Sequence, residues 1–161
     1  MRRKIQEISD SAELDEILST ARICRIAMLD GNRPYILPFN YGYRNKCVYI
    51  HCALQGRKLD LLRKNNHVCF EIEDSVRVVK DKIACRCSTR YRSIVGYGDI
   101  EIITDDAEAK NEALKILMEQ HDWGEPVEFS EQQVKNVAIL KLSITSMTGK
   151  KSSNWDKTQS H

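Results

Sequence analysis

No stretch of this chain approaches the ~20 consecutive apolar residues of a membrane-spanning helix, and the basic start MRRK is not followed by the apolar run of an export signal. The expectation is a cytoplasmic protein without membrane contact. Formal net charge is only +2, with lysine and arginine spread along the chain rather than gathered in a run. That excludes a generic polyanion-binding face, and nucleic acid with it. Glycine (7) and proline (3) are sparse, and the chain contains no G-x-G-x-x-G, no G-x-x-x-x-G-K-[ST] and no G-x-S-x-G. Whatever is bound must be held without those loops.

The 161 residues, 42% hydrophobic and 30% charged, suit one compact domain. We expect it to span residues 1–150, followed by a polar tail over 151–161. Six cysteines without an export signal read as free thiols rather than a disulfide scaffold. Cys85 and Cys87 form a C-x-C pair, but no second ligand pair follows at zinc-site spacing, so no metal is expected there. The plain reading is two small buried hydrophobes alternating on a strand.

Periodicity organises the rest. SDSAELDEILSTA has cap candidates Asp10 and Ser11 and apolar Leu14, Ile17 and Leu18 at helical spacing. ICRIAML and PYILPFNYGY, joined by DGNR, read as a hairpin. A second polar turn, Arg44-Asn45-Lys46, leads into CVYIHC, so three successive strands are expected to form a meander. The helix GRKLDLLRKNN follows, then strands HVCFEIE and RSIVGYGDIEII. Gly96 and Gly98 inside the second of these predict a bend or close backbone approach. The segment Asp74 to Arg90 has no readable pattern. DDAEAKNEALKILMEQH is a helix with Leu114, Leu117, Met118 and His121 on its apolar stripe and Lys110 on its solvent face. His121 there reads as a helix-end cation or a core-edge residue. After the GEPVEF loop, Ser130 and Gln133 form a capping box, and VAILKLSIT is the last strand. About six strands with peripheral helices and no βαβ alternation predict a mainly β protein, a six-stranded antiparallel barrel, rather than a doubly wound fold.

One junction has the chemistry of a ligand site. In YIHCALQGRKLDLLRK a strand ends at His51, a loop containing Gly56 follows, and a basic helix begins at Arg57-Lys58. A helix N-terminus with free N–H groups and nearby cations can seat a phosphate. It can equally be an ordinary loop before a solvated helix face, with His51 a structural histidine. Residue types alone leave both open.

The order of PYILPFNYGY, VYIHCALQGRKLDLLRKN, VCFEIE, YRSIVGYGDIEI and MTGK resembles the pyridoxamine-phosphate-oxidase-like flavin-binding split barrels, and within them the branch associated with 5-nitroimidazole resistance. The resemblance runs from the first helix to Lys150. It implies a split barrel, a homodimer with two FMN sites at the subunit interface, and reduction of a nitroaromatic small molecule. Carried onto this chain, Lys58 and Ser93 hold the phosphate after the loop of Gly56, with Arg92 as a further partner. Pro38, Phe39, Asn40 and Tyr41 line the flavin ring largely through backbone, and His51, Cys52 and Ala53 sit at its edge. Thr148, Gly149 and Lys150 reach in from the partner. His51 is the candidate catalytic residue, since histidine is the side chain that changes charge near neutral pH. The same resemblance admits another FMN enzyme, such as a pyridoxamine-phosphate oxidase or a general flavin reductase, a non-catalytic flavin carrier, or a haem-binding barrel with His51 or His67 as ligand.

Overall fold

The computed structural model describes residues 6–125, 127–153 and 155. The basic start (residues 1–5), Pro126 of the predicted loop and most of the tail lie outside the described residues. The elements run β1 (Glu7–Ile8), α1 (Ser11–Thr20), β2 (Ile23–Asp30), β3 (Arg33–Asn40), β4 (Gly42–Arg44), β5 (Cys47–Cys52), α2 (Arg57–Lys64), β6 (His67–Val79), β7 (Ser88–Ile103), α3 (Ala107–Gln120), α4 (Glu131–Lys135) and β8 (Ala138–Lys151). The protein is mainly β, with every strand pairing antiparallel in the order β3-β2-β6-β7-β8-β5-β4 and β1 added on β8. Among the described residues, eight strands replace the expected six, because PYILPFNYGY breaks into two and a two-residue strand precedes α1. Among the described residues no helix is long and apolar enough to cross a membrane.

Local chemistry sets the ends of these elements. Asp10 caps α1 by accepting the Ala12 N–H at 2.9 Å. Ser130 and Gln133 form the expected capping box of α4. Asn45 and Lys46, both at positive φ, make the two-residue turn between β4 and β5. Gly98 is required by packing: a Cβ there would lie 2.3 Å from the Ser143 carbonyl oxygen. The ladder between β7 and β8 shifts register at this point, between Tyr97 and Gly98, which is the bend the two glycines predict.

The expected meander does not form. β3 and β4 stand at opposite edges of the sheet although only Tyr41 separates them in sequence. Tyr41 is fully buried and its hydroxyl donates to the Leu18 carbonyl of α1 at 2.7 Å. That bond fixes the crossing, and the one-residue link brings both sheet edges together, closing the barrel at the α1 end. At the other end, α2 packs Leu59, Leu61 and Leu62 into the same core. Alternation along the strands supplies the interior, with Ile26, Phe70, Ile72, Ile94, Leu140 and Ile50 all at 1% exposure or less. A smaller outer core of Ala113, Leu114, Leu117, Val134 and Ile139 lies between α3, α4 and β8.

Two further expectations are corrected. Lys110 faces inward: it is 2% exposed and its ammonium donates to the Thr104 carbonyl at 2.9 Å, which offsets the cost of burying it. Cys85 and Cys87 are exposed rather than buried. Residues 74–90, unreadable in sequence, form a hairpin extension of β6 and β7 whose tip carries a 3-10 turn over Ala84–Arg86.

Candidate functional site

The junction after β5 is built by strand alternation followed by an uncapped helix. Because side chains alternate along β5, Cys52 turns into the core at 8% exposure while His51 points outward to solvent. Burial pushes the Cys52 thiol pKa up, and the nearby Lys58 ammonium partly opposes this. Ala53 lies on the exposed loop. Gly56, at φ 136°, is the N-cap of α2, with no side-chain cap on the helix and open space where a Cβ would stand. Arg57 is drawn aside: it pairs with Asp30 and lies over the Tyr35 ring, 4.8 Å from its centroid. Lys58 is half-buried and has no carboxylate partner among the described residues. The junction therefore presents one uncommitted cation beside an uncapped helix N-terminus.

The other expected site residues lie elsewhere. On β3, Pro38 and Asn40 point outward, Phe39 packs against the core, and the buried Tyr41 is engaged with Leu18. Burial holds the Tyr41 phenol protonated well above its usual range. Ser93 stands directly opposite Lys150, and Val95 opposite Thr148. The Lys150 ammonium is 5.8 Å from the Tyr91 ring centroid. Gly149 turns inward, where a Cβ would come within 2.4 Å of Leu14 Cδ2. Arg92 is 7% exposed and occupied: it donates to Asp74 at 2.5 and 3.1 Å and to Glu16 at 3.0 Å, and lies over the Trp155 ring.

Register separates these groups. His51 is opposite Ile139, which is opposite Ile103, ten residues along β7 from Ser93. At ~3.3 Å per residue this is roughly 30 Å of strand. Within one chain, then, Lys58 and His51 occupy the α2 end, while Ser93, Thr148, Lys150 and Asn40 share the outer face near the α1 end. Ser93 and Lys150 are cross-strand neighbours on that face.

A family model described as pyridoxamine 5'-phosphate oxidase matches residues 10–151. The chain belongs to that family. Among solved structures, a candidate 5-nitroimidazole antibiotic resistance protein from Bacteroides thetaiotaomicron VPI-5482 is 32% identical, with a TM-score of 0.79 over 89% of this chain and 85% of that one. The FAD and heme binding protein of Mycobacterium smegmatis shares the fold at 21% identity, with a TM-score of 0.80 over 96% of this chain and 77% of that one. The flavocytochrome Anf3 of Azotobacter vinelandii shares it at 19% identity, with a TM-score of 0.75 over 91% and 69%. No curated protein sequence matches.

This pyridoxamine 5'-phosphate oxidase family member also carries a pair that sequence reasoning missed. His67 and Asp99 are cross-strand partners on β6 and β7, and the imidazole Nδ1 is hydrogen-bonded to the Asp99 carboxylate. No sequence signal joins residues 32 positions apart; only the ladder register does. A wider depression of about 720 Å³ between α3 and the loop after it holds Trp123, Glu119, Asp122 and Glu128. Its acidic lining is unsuited to a phosphate, and it contains none of the expected site residues.

Proposed function

We propose that this protein is an FMN-dependent oxidoreductase, acting as a cytoplasmic homodimer on a nitroaromatic substrate such as a 5-nitroimidazole. The observation that carries the cofactor is the Lys58 junction. An FMN phosphate is a dianion, and it needs donors that are not already spent. Lys58 has no carboxylate partner among the described residues and α2 has no side-chain cap, whereas Arg57 and Arg92 are both committed to carboxylates. The phosphate seat is therefore Lys58 with the first N–H groups of α2, and Arg92 serves the fold.

The dimer is supported by the outer sheet face. Leu29, Ile36, Val95 and Tyr97 are 50%, 58%, 43% and 59% exposed and lie on that one face, an apolar surface of the kind a second copy covers. A two-fold axis lying across the strands sets the α1 end of one protomer over the α2 end of the other. Ser93, Thr148 and Lys150 of the partner then complete the site that Lys58 begins. Six cysteines, none in a disulfide, fit a reducing compartment.

Bound FMN supplies hydride or electron transfer. The chain contributes the rest: Lys58 and α2 hold the phosphate, and the outward backbone of β3 offers polar groups to the ring edge. His51, exposed on the outward side of the junction, gives a proton to the nitro oxygen as the substrate accepts electrons. The nitro substrate is favoured over other family chemistries by the 32% identity to the Bacteroides relative. The test is the absorption spectrum of the purified protein, followed by anaerobic reduction and addition of a 5-nitroimidazole. A yellow protein whose reduced form is reoxidised by the nitroimidazole supports the reading. A colourless protein that takes up no FMN ends it.

A further inference from the structure

We propose that the tip of the β6–β7 hairpin extension is a thiol–disulfide exchange site, in which Cys85 attacks a small anionic disulfide and Cys87 resolves the adduct. Of the six cysteines these two alone are exposed; Cys24 and Cys52 are buried, and Cys47 and Cys69 are half-buried. The tip lies beyond the last ladder pair, Val79 with Ser88. It shares no residue with the Lys58 junction or with the apolar face that a second copy covers, so the oxidoreductase reading does not depend on it, nor it on that reading.

Asp81 shapes the tip. Its Oδ1 accepts the Ile83 N–H at 2.8 Å. The 3-10 turn then closes as the Arg86 N–H donates to the Ile83 carbonyl at 2.8 Å and the Cys87 N–H to the Ala84 carbonyl at 3.1 Å. Both cysteines therefore belong to one hydrogen-bonded turn, two residues apart, but their sulfurs differ. Cys87 Sγ accepts the Asp81 N–H at 3.4 Å and donates to the Asp81 carbonyl at 3.7 Å. Cys85 Sγ has no hydrogen-bond partner among the described residues, which makes it the sulfur free to meet a reagent. Lys80, Lys82 and Arg86 stand exposed around the pair, without a carboxylate partner among the described residues, and Asp81 is the single acid among residues 80–87. That local charge draws an anionic reagent.

The exchange balances. The Cys85 thiolate attacks one sulfur of the small disulfide, forming a mixed disulfide and expelling a thiolate. The Cys87 thiolate then attacks Cys85 Sγ, closing a Cys85–Cys87 disulfide and expelling the second thiolate. Two protons pass from the cysteines to the leaving thiolates, so the protein gives up two electrons and the small disulfide gains them. Oxidation ends the S–H donation from Cys87 to Asp81, which couples redox state to the shape of the tip.

The experiment treats the reduced full-length protein with oxidised glutathione, blocks the remaining thiols by alkylation and maps tryptic fragments by mass. Fragments 83–86 and 87–90 should emerge joined by a disulfide, from protein that runs as a single chain on a non-reducing gel. Cys87→Ser should retain one glutathione on Cys85, and Cys85→Ser should lose nearly all of the adduct. Cystamine, a cationic disulfide, should react about tenfold more slowly at low ionic strength, with the gap closing in salt. Lys80→Gln together with Lys82→Gln should erase that preference. Cys85→Ser and Cys87→Ser should bind FMN like the parent, which keeps this result apart from the cofactor reading. The proposal is overturned if Cys47 or Cys69 takes up glutathione as fast as Cys85, if Cys87→Ser traps no adduct, or if the disulfide joins two chains.

Discussion

If Lys58 of one protomer and Lys150 of the other build one FMN site, two crippled subunits should repair each other. Within a chain the two lysines sit toward opposite ends of the barrel: the His51 row beside the Lys58 junction and the Ser93–Lys150 row lie ten residues apart on β7, roughly 30 Å of strand. Each lysine supplies a charge-assisted hydrogen bond of about 1.5–3 kcal/mol. Lys58→Ala and Lys150→Ala homodimers should therefore each bind FMN about 10–150-fold more weakly than the parent. A heterodimer of the two variants carries one site lacking both lysines and one site lacking neither. Coexpression with two different tags and purification on both isolates it, and FMN fluorescence quenching counts its tight sites. About half the sites should recover parental affinity, as two-fold symmetry requires. A heterodimer with no tight site would refute the composite arrangement. Lys64→Ala, on the exposed end of α2, is the charge control and should bind FMN like the parent.

Further expectations follow from the same geometry. His51→Ala should leave FMN bound but slow reoxidation by a nitroimidazole by ~10²–10⁴; if His51→Asn keeps the full rate, the histidine positions substrate, and if both variants match the parent, it takes no part. Gly98→Ala should cost about 1–3 kcal/mol or more, because its Cβ would meet backbone at 2.3 Å. Gly149→Ala meets the flexible Leu14 side chain and should be partly rescued by Leu14→Ala; melting temperatures that do not separate the two glycines would contradict this. Burial, and secondarily Glu71, pushes the Cys24 thiol from 9.0 up to about 12. The unfolded thiol ionises first, so its contribution to stability is complete below pH 9 and is lost as pH rises toward 12. Denaturant unfolding of Cys24→Ala should show a shallower fall over that window, and an identical slope would count against it.

Much of the architecture was legible in the chain because its causes are local. Asp10, Ser130 with Gln133, and the Gly31 and Asn45 turns act within a few residues of their positions. ICRIAML and CVYIHC were legible as strands, and in them buried and more exposed residues alternate. Gly96 and Gly98 marked the bend. The Gly56-Arg57-Lys58 junction was legible as a candidate phosphate seat, although its residue types did not say which cation was free. Asp30 decides that by taking Arg57, and it comes from another hairpin.

The failures share one cause, contact between residues distant in sequence. The meander reading missed that Tyr41 hydrogen-bonds Leu18 and sends β4 to the far edge of the sheet. Lys110 sits where a helical wheel expects solvent, yet the Thr104 carbonyl waits beneath it. For Arg92, which the family resemblance places at a phosphate, the sequence did not show that Glu16 and Asp74 hold it. The pairing of His67 with Asp99 exists only through the β6–β7 register.

Sequence by itself determined the helix caps, the tight turns and the broad order of strands and helices, because capping and turn conformation act over one to four residues. Only the tertiary structure decided which strands are neighbours, which charges are already paired, and which end of the barrel each site residue occupies. Those follow from register and closure, and a polar side chain's availability depends on the partner that the fold places within hydrogen-bond reach.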